Sequence, residues 1–302
     1  MIFFSVVIPT YNRAAVIANA INSVLNQSFQ DFELIIVDDG STDDTESIVS
    51  RFCNDKISYF KKINSGGSAA RNFGIRIARG RYIAFLDSDD WFNENHLENA
   101  YNYLIQFSDL RCYYTAVEVS RKDVKRFLKP SHPILEGQHM SEYIMCHKGF
   151  VPTITLVVPN DLAKSVLYDE NLSNGDDVDF AIRLHHAGAK FHMGKVCGAV
   201  WNDEYSPGRL SFKNNHVERV AWLRRNRELI TEKAYLAEMG WPVAKYLFKD
   251  GQYTSALKHY LKAVTSGVYS PKVALMVMLQ ILLSEPQYRK LSKFMVMFGV
   301  RP

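Results

Sequence analysis

Strand-like and helix-like apolar patterns alternate through the first hundred residues, and this alternation limits the possible folds more than any other feature. Runs typical of buried strands cover residues 3–10, 32–41, 56–62 and 82–86, and stretches with helical spacing, 14–27, 42–52 and 68–78, separate them. Such alternation predicts a parallel sheet with right-handed helical crossovers. In sheets of this kind, ligands bind beyond the carboxyl ends of the strands.

Three of the four strand runs end in polar residues suited to binding. They are the stretches Thr10–Asn12, Asp38–Asp39 and Asp87–Asp90. Because the carboxyl ends of parallel strands meet at one edge of a sheet, we expect these residues to lie close together. The sequence therefore predicts a binding site rich in carboxylates at this edge.

The acidic motif Asp87-Ser88-Asp89 follows the apolar run 82–86 directly. Carboxylates at positions i and i+2 of an extended backbone point to the same face. Mg²⁺ and Mn²⁺ take oxygen ligands of this kind and keep positions open for phosphate oxygens. A solvated turn is the alternative, since turns are rich in Asp, but the position after a core strand favours a cation site.

A second acidic stretch, Asp38-Asp39-Gly40-Ser41, follows the strand run that begins at residue 32. An ionised carboxylate can accept a hydrogen bond from the N–H groups of a nucleotide base. A turn followed by a helix cap is the alternative, and both can hold at once. In that case Gly40 shapes the turn while Asp39 faces the ligand.

Two glycines, Gly66 and Gly67, precede a helical pattern that carries Arg71 in its first turns. Loop amides and a helix N-terminus attract anions. The planar guanidinium of an arginine adds a fixed set of donors that suits phosphate. The alternative is a plain loop-to-helix junction in which Arg71 pairs with an acidic side chain.

The acidic pair Asp176-Asp177 stands at the start of the helical stretch 177–188. Acidic residues are common at helix N-termini because they complement the helix dipole. A catalytic base is the other interpretation, since one carboxylate can raise the pKa of its neighbour. Composition alone leaves both interpretations open.

The rest of the chain divides into a mixed middle part and a helical end. Strands are predicted over 111–121, 153–160 and 190–203, with an extended segment from 124 and a helix over 177–188. From about residue 215 every pattern is helical, so we place a domain boundary near 212–216. The first domain is expected to cover residues 1–214, with halves of about 1–100 and 101–214, and the helical region to cover 215–302.

The helical region is basic, whereas the rest of the chain is slightly acidic. Residues 215–302 contain 14 Lys and Arg against 6 Asp and Glu, while the whole chain carries a net charge of +4. This excess suggests an anionic partner such as a membrane surface, and a solvated helical face is the alternative. The segment 287–301, with its aromatic, methionine and basic residues, is typical of an interfacial helix.

Several classes of protein lack support in the sequence. The four cysteines lie far apart without a C-x-x-C pair, which argues against a zinc site or a disulfide framework and fits a reducing cytosol. The phosphate-loop and dinucleotide-binding glycine motifs are missing, and so is the spacing of a hydrolase triad. The N-terminus is expected to be a strand rather than a signal peptide. The apolar run 273–283 has about half the length of a membrane-spanning helix.

Three stretches together resemble the inverting family-2 glycosyltransferases with the GT-A fold. They are residues 5–45, beginning SVVIPTYN and ending IIVDDGSTDDT, residues 64–91, NSGGSAARNFGIRIARGRYIAFLDSDDW, and residues 174–188, NGDDVDFAIRLHHAG. The likeness is dense to about residue 100 and thin to about 212. It implies an α/β fold, a mostly parallel Rossmann-like sheet flanked by helices, with the helical region as a C-terminal extension.

The resemblance also implies a role for each matching residue. Thr10, Tyr11 and Asn12 are expected to line the nucleotide pocket, with Tyr11 against the base, and Asp39 to accept from a base N–H. Arg71 is expected to clamp the nucleotide, Ser88 to lie in the donor site, and Arg209 to reach the pyrophosphate. Asp89 and Asp87 are expected to hold Mn²⁺ or Mg²⁺, with Asp89 as the more direct ligand. The catalytic base is expected at Asp177, with Asp176 as the alternative because it replaces the family's usual Glu.

The function implied is inverting transfer of a sugar from a nucleotide-diphosphate sugar, with UDP as the default nucleotide. The expected acceptor is a glycan or lipid-linked glycan in bacterial cell-surface polysaccharide synthesis, at the cytoplasmic side of the membrane. The helical region is expected to contact the membrane surface or to form a homodimer, and nucleic acid is not an expected partner. The alternatives are a sugar nucleotidyltransferase, which normally has a glycine-rich loop where this chain has IPTYNR, and a catalytically silent binding subunit.

Overall fold

A computed structural model of the chain describes residues 2–121, 124–172, 174–203, 216–284, 286–288 and 290–291. The chain divides into two compact units. One comprises Met1–Gly137 and Gly149–Arg209, and the other comprises Gln138–Lys148 and Leu210–Pro302. A short segment from the middle of the sequence thus groups with the C-terminal helices. The predicted division between residues 214 and 215 falls outside the described residues.

The first unit is built on one sheet with helices along the chain between its strands. In the described residues its strands are β1 (Phe4–Thr10), β2 (Phe32–Asp38), β3 (Ile57–Lys61), β4 (Tyr82–Phe85), β5 (Trp91–Phe92), β6 (Arg111–Arg121), β7 (Val124–Lys129), β8 (Val157–Pro159) and β9 (Lys190–Asn202). Its helices are α1 (Ile17–Leu25), α2 (Thr45–Ser50), α3 (Gly67–Ile77), α4 (His96–Leu104), α6 (Asn160–Val166) and α7 (Asp176–His186), while α5 (Met140–Met145) belongs to the second unit.

The strand order is β3-β2-β1-β4-β8-β6-β9-β5. In addition, β7 pairs with residues 117–121 of β6. The strands β3, β2, β1 and β4 are parallel, as the alternation of patterns predicts. Beyond β4 the sheet is mixed, because β8 is antiparallel to both of its neighbours whereas β6 and β9 are parallel. The predicted α/β fold with helices around a central sheet is confirmed, and its parallel strands are the four of the first half together with the pair β6 and β9.

One predicted strand is wrong in part. Residues 153–160 form a 3-10 turn, Thr153–Thr155, before the three-residue strand β8. The hydroxyl of Thr155 accepts from the backbone N–H of Thr115 at 3.2 Å and donates to its carbonyl at 3.0 Å. A side chain thus replaces one pair of ladder hydrogen bonds, which lets the backbone turn next to β6 without leaving these groups unsatisfied.

Strands β1 and β2 are buried along their whole length, as expected for parallel strands covered on both faces. Helix α3 packs against both strands. At Gly74 of this helix, an added Cβ would lie 2.4 Å from a methyl carbon of Val7, so only glycine permits so close an approach. The position of α3, and of the side chains on its first turns, is therefore fixed against β1.

The parallel register sets the carboxyl ends of three strands side by side. Thr10, the last residue of β1, pairs with Asp38, the last residue of β2. On the other side of β1, Val7 pairs with Phe85 at the end of β4, two residues before Asp87. The three polar strand ends predicted to meet at one edge of the sheet do so.

The second unit is helical throughout its described residues. Besides α5 it contains α8 (His216–Arg225), α9 (Glu232–Glu238), α10 (Ala244–Lys249), α11 (Tyr253–Thr265) and α12 (Pro271–Leu282). The hydroxyl of Thr231 caps α9 by accepting from the N–H of Ala234 at 3.2 Å, and Ser270 caps α12 ahead of Pro271. No helix in the described part of the chain combines the length and the apolar character needed to cross a bilayer. The predicted interfacial segment 287–301 lies mostly outside the described residues.

Candidate active site

Arg71 connects two acidic motifs at the carboxyl edge of the sheet. It lies on the second turn of α3, and its side chain is 13% exposed. One terminal nitrogen donates to Asp87 Oδ1 at 2.7 Å, and the other donates to Asp176 Oδ2 at 2.9 Å. Asp87 follows β4, whereas Asp176 begins α7. The guanidinium therefore holds together three segments that are distant in the sequence.

The surroundings of Arg71 keep it charged and oriented. Burial alone would lower the pKa of Arg71, but the charges of Asp87 and Asp176 outweigh burial and raise it. The ring of Tyr168 lies 5.4 Å from the guanidinium carbon, and Tyr168 itself stacks on Phe180 with ring centroids 3.9 Å apart. The Nε atom of Arg71 is buried and has no hydrogen-bond partner among the residues that the structure describes.

The two acids at the start of α7 have different surroundings. Gly175, in the left-handed region with φ 77°, turns the chain into the helix just before them. Asp176 accepts hydrogen bonds from Arg71 and, at 3.1 Å, from the hydroxyl of Ser68. Asp177 accepts from the backbone N–H of Val178 at 2.8 Å. Arginine and serine donors thus hold Asp176, whereas neither of these two donors bonds to the carboxylate of Asp177.

Asp177 has the electrostatic character of a general base. Burial raises its pKa, and the nearby charge of Asp176 raises it further. The hydrogen bond from Val178 and the positive charges of Lys129 and Arg71 oppose this increase without cancelling it. A carboxylate whose pKa is raised toward neutrality accepts a proton more readily, as general-base catalysis requires.

The carboxylates of the Asp87-Ser88-Asp89 motif suit a hard cation. The side chains of Asp87 and Asp89 are 33% and 35% exposed, so part of each carboxylate is accessible. Ser88 between them is buried. In the described residues, no cluster of three or more His, Cys, Asp or Glu could hold a metal ion. Magnesium is commonly bound by one or two carboxylates together with substrate phosphates, and this donor set fits that arrangement.

Neighbouring residues fix this motif from two sides. A terminal nitrogen of Arg13 lies 3.4 Å from Asp89 Oδ2, and both side chains are partly exposed. Asp90 is buried and accepts from the backbone N–H of Asn202 at 2.7 Å. Asp90 thus fastens the motif to the end of β9, which is a structural role.

Asp39 is buried and organises the loop that leads into α3. Its carboxylate accepts from the backbone N–H groups of Ser65 at 2.9 Å and Gly66 at 2.7 Å, and from the ammonium of Lys62 at 2.7 Å. Two carboxylate oxygens can accept about four hydrogen bonds, so one further N–H can be accommodated. Asp38 accepts instead from the backbone of Ser41 at 2.7 Å and from the hydroxyl of Tyr59.

The Thr10–Asn12 stretch joins the ends of β1 and β2. Thr10 is buried, and its hydroxyl has no hydrogen-bond partner among the described residues, whereas Tyr11 is 47% exposed. The backbone N–H of Asn12 donates to Ser41 Oγ at 2.8 Å, and its side-chain oxygen accepts from the N–H of Thr42 at 2.8 Å. An unpaired hydroxyl and an exposed ring thus stand beside the Asp39 loop. Arg209 lies outside the described residues.

Sequence reasoning missed four residues of this site: Arg13, Ser68, Lys129 and Tyr168. Ser68 and Arg13 stand within or beside motifs that were recognised, so their proximity gave some indication. Lys129 and Tyr168 lie in segments without a motif. Only the fold brings Tyr168 beneath Arg71 and the charge of Lys129 near Asp177.

Comparison with sequences of known proteins gives a consistent group. The profile described as Glycosyl transferase family 2 matches residues 5–150. The amylovoran biosynthesis glycosyltransferase AmsB of Erwinia amylovora is 32% identical over 201 residues, which are 64% of this chain and 67% of AmsB. The minor teichoic acid biosynthesis protein GgaA of Bacillus subtilis is 33% identical over 238 residues, 74% of this chain and 51% of GgaA. In a longer glycosyltransferase of Rickettsia felis, the matched part is 28% of that protein, so this chain spans well under two thirds of it.

Among solved structures, S. aureus TarS 1–349 in complex with UDP-GlcNAc superposes with a TM-score of 0.63. The match covers 99% of this chain and 92% of the TarS chain at 18% sequence identity. At that identity the likeness bears on the fold alone, and it confirms the expected GT-A type of architecture.

Proposed function

Because the chain belongs to glycosyltransferase family 2, we propose that it is a metal-dependent inverting glycosyltransferase acting on a nucleotide-diphosphate sugar. One observation carries the proposal. Arg71 links Asp87 of the Asp-Ser-Asp motif to Asp176, directly before the carboxylate of Asp177 with its raised pKa. The acid proposed to bind a cation, the arginine proposed to bind phosphate and the proposed base thus lie close together at the carboxyl edge of the sheet.

The donor nucleotide would bind along the ends of β1 and β2. Tyr11 would lie against the base, the unpaired hydroxyl of Thr10 would find a partner there, and Asp39 would accept one N–H of the base. Asn12 would line the same pocket, and Ser88 and Arg209 would lie on the pyrophosphate side. UDP is the nucleotide we propose, supported by the TarS complexes with UDP-GlcNAc and with UDP.

Asp89 and Asp87 would hold Mn²⁺ or Mg²⁺ beside the donor pyrophosphate, with Asp89 as the more direct ligand. When bound, such an ion neutralises negative charge on the leaving phosphate. Arg71 is positively charged like the metal ion and lies at the same edge of the sheet, where its guanidinium presents hydrogen-bond donors in a fixed plane. Asp87 would then stay oriented by its hydrogen bond to Arg71.

Asp177 would act as the general base. It would take the proton of the acceptor hydroxyl as that oxygen attacks the anomeric carbon from the face opposite the phosphate. The bond from the anomeric carbon to the phosphate oxygen breaks, and its electron pair leaves with the nucleoside diphosphate. A single displacement inverts the configuration. Asp176, held by Arg71 and Ser68, would raise the basicity of Asp177 without contacting the acceptor.

The acceptor we propose is a glycan or lipid-linked glycan of bacterial cell-surface polymer synthesis. The relatives AmsB and GgaA, described as amylovoran and minor teichoic acid biosynthesis proteins, support this class. Transfer would take place in the cytoplasm, at the inner face of the membrane. On α11 of the second unit, Leu257 and Leu261 are exposed one turn apart beside Lys258 and Lys262, a pairing that suits an anionic lipid surface.

Flotation with vesicles would separate membrane contact from a homodimer, the other role proposed for these helices. The full chain should float with phosphatidylglycerol vesicles but not with phosphatidylcholine vesicles, and the Leu257→Gln, Leu261→Gln double variant should float less. No flotation together with a dimeric mass in solution would favour the dimer.

A screen of nucleotide sugars tests the proposed reaction. Each donor is mixed with protein and Mn²⁺, the midpoint of thermal unfolding is measured, and stabilising donors are assayed for release of nucleoside diphosphate. We expect one donor to stabilise the protein and to release its nucleoside diphosphate. NMR of the product should then show inverted configuration at the anomeric carbon. Pyrophosphate release from a nucleoside triphosphate and a sugar 1-phosphate would indicate the nucleotidyltransferase. Binding without any release over all donors and acceptors would indicate the silent subunit.

A further inference from the structure

Two aromatic rings and one lysine form a cluster close to Asp177. Lys129 ends β7, opposite Val117 of β6, and Trp201 on β9 pairs with Val119 from the other side of β6. Because Val117 and Val119 are two residues apart, Lys129 and Trp201 project from the same face of the sheet. Phe150 completes the cluster, its ring centroid 6.0 Å from that of Trp201 with the ring planes inclined by 29°.

The ammonium of Lys129 lies against both rings. Its Nζ is 4.3 Å from the ring centroid of Phe150 and 5.6 Å from that of Trp201. Ring faces attract a cation but accept none of its hydrogen bonds in the ordinary sense. In the described part of the chain, Lys129 has neither a hydrogen-bond acceptor nor an ion-pair partner. Its three donors therefore remain available to a bound molecule.

Other lysines of the same unit show a different arrangement. Five of them donate to an oxygen of the chain: Lys56, Lys61, Lys62, Lys164 and Lys190. Lys129 is half-buried, and this burial lowers its pKa, an effect that the charge of Asp177 opposes. A partly desolvated ammonium without an acceptor gains more from an anion than a solvated one does.

Lys129 and Asp177 are also close enough to shift each other's pKa. The positive charge of Lys129 lowers the pKa of Asp177, and the negative charge of Asp177 raises that of Lys129. A molecule whose hydroxyl reaches Asp177 would therefore have its neighbouring groups on the side of Lys129. The apolar C–H face of a sugar ring can pack on an aromatic ring, and clefts of this composition, aromatic with a few polar groups, are typical of ligand sites.

We propose that Lys129, Phe150 and Trp201 form the acceptor subsite, and that it takes a saccharide or polyol bearing a carboxylate or phosphate near the attacking hydroxyl. The proposal rests on the proposed function for the identity of the acceptor, whereas the affinity of the cluster for such anions does not depend on it. A neutral acceptor would leave the ammonium without a charged hydrogen-bond partner. An anionic group would supply that partner while the sugar ring packs on Trp201.

Binding of matched probes to the full chain tests this subsite without turnover. The probes are methyl β-glucuronide against methyl β-glucoside for the carboxylate, and glycerol 3-phosphate against glycerol for the phosphate. Calorimetric titration is run in the presence of the nucleoside diphosphate. We expect at least one anionic probe to bind tenfold or more tightly than its neutral counterpart. The stronger of the two pairs identifies the source of the charge, and equal affinities in both pairs would overturn the proposal.

Variants then assign the preference to Lys129. Lys129→Gln should abolish it, Lys129→Arg should keep most of it, and Lys190→Gln, an exposed lysine paired with Asp109, should leave it unchanged. Trp201→Leu should weaken the binding of both members of a pair alike. Far-ultraviolet circular dichroism verifies folding, and if Lys129→Gln is unfolded the comparison rests on Lys129→Arg and Trp201→Leu. Loss of the preference in Lys129→Arg as well as in Lys190→Gln would contradict a specific contact.

Kinetics with the donor found in the screen separates this role from mere adjustment of Asp177. If Lys129 binds the acceptor, Lys129→Gln raises the KM for the anionic acceptor tenfold or more with little change in the KM for the donor. If Lys129 only adjusts Asp177, kcat and its pH profile change while the anion preference stays, and the proposal fails although the enzyme is a glycosyltransferase. Anion binding that requires Lys129 in a protein inactive with every donor would refute the proposed function and leave the anion site standing.

Discussion

Arg71 and Asp87 are 16 residues apart in the chain, and a terminal nitrogen of the arginine lies 2.7 Å from Oδ1 of the aspartate. The acid that the sequence assigns to a metal ion is therefore already oriented by a cation of the protein. The same guanidinium holds Asp176 at 2.9 Å. A single side chain thus connects the Asp-Ser-Asp motif to the acidic pair.

Replacing Arg71 by lysine should impair both stability and activity. A lysine keeps the charge but has no planar pair of donors, so it cannot bond Asp87 and Asp176 together. We expect the free energy of unfolding to fall by about 1–3 kcal/mol, because at least one of the two half-buried carboxylates loses its charged hydrogen bond. Misplacement of the site should lower the transfer rate by about 10²-fold or more. Urea unfolding and a nucleotide-release assay measure the two effects.

Arg76→Lys is the matched control for that experiment. Arg76 lies on the same helix, is mostly exposed and approaches Glu170 at 3.6 Å. Its replacement should change the free energy of unfolding by less than about 0.5 kcal/mol and leave transfer intact. Equal losses in both variants would show that arginine side chains on α3 matter generally, which would contradict the bridging role.

Asp177→Asn should abolish transfer while leaving donor binding nearly intact. An amide cannot take the proton of the acceptor hydroxyl, and loss of a general base costs about 10²–10⁴-fold in rate. Asp161→Asn, a change at an exposed acid in the first turn of α6, is the control and should be silent. Nucleotide release and donor titration are measured in parallel. Normal turnover by the Asp177→Asn variant would refute the assignment and direct attention to Asp176.

The raised pKa of Asp177 predicts a pH-dependent difference in stability between the wild type and Asp177→Asn. The folded state binds the proton of the Asp177 carboxyl more tightly than the unfolded state does, in which the pKa of this carboxyl is about 3.8. The ionised carboxylate therefore costs stability as pH rises from about 3.8 through the raised value in the folded state. We expect Asp177→Asn to be more stable than the wild type at pH 7 and the difference to shrink toward pH 4. A difference that grows on acidification would contradict the raised pKa.

We expect the metal dependence of donor binding to require Asp89. In the Asp89→Ala variant we expect donor binding in Mn²⁺ to fall to the level seen without metal, whereas the wild type should bind clearly better with metal. Titration of the donor with and without Mn²⁺ measures this. Equal affinity of the wild type in both conditions would exclude a metal role for the motif.

Arg13 should compete with the metal ion for Asp89. Its guanidinium lies 3.4 Å from the carboxylate, and partly exposed pairs of this kind contribute about 0.2–1 kcal/mol. Arg13→Gln should therefore tighten Mn²⁺ binding to the protein, by at most about fivefold. Electron paramagnetic resonance counts free Mn²⁺ in such a titration. Arg51→Gln, a change at an exposed arginine, should have no effect, and weaker metal binding in Arg13→Gln would instead make Arg13 a supporting residue.

Most of the sheet edge could be predicted because its signals are local. Apolar runs that end in Asp38 and Asp87 show a strand and its end within a few residues, and parallel pairing then places those ends together. Helices α4, α5 and α6 were not predicted, because they are only 9, 6 and 7 residues long, too short for a helical period to be recognised in the sequence. The role of Thr155 was not predicted, because a threonine whose hydroxyl replaces backbone hydrogen bonds cannot be distinguished in the sequence from any other strand residue.

The contacts within the site could be predicted only in part. The sequence gives Arg71 as a phosphate ligand but not as the partner of Asp87 and Asp176, since that depends on how α7 meets α3. It likewise gives Asp39 as a base ligand, while the fold shows it accepting from Ser65, Gly66 and Lys62. The place of Lys129 follows from the pairing of β7 with β6, which no local pattern specifies.

The bond between Arg71 and Asp176 spans 105 residues, and that separation has a consequence for synthesis of the chain. Closing so long a loop costs about 1.7 kcal/mol more than closing the 16 residues from Arg71 to Asp87. A nascent chain that has left the ribosome as far as α6 already contains the donor-side motifs but neither Asp176 nor Asp177. Under the proposed function, such a chain carries the residues for donor binding before it carries the base. The proposed reactive centre is therefore complete only after α7 has been synthesised.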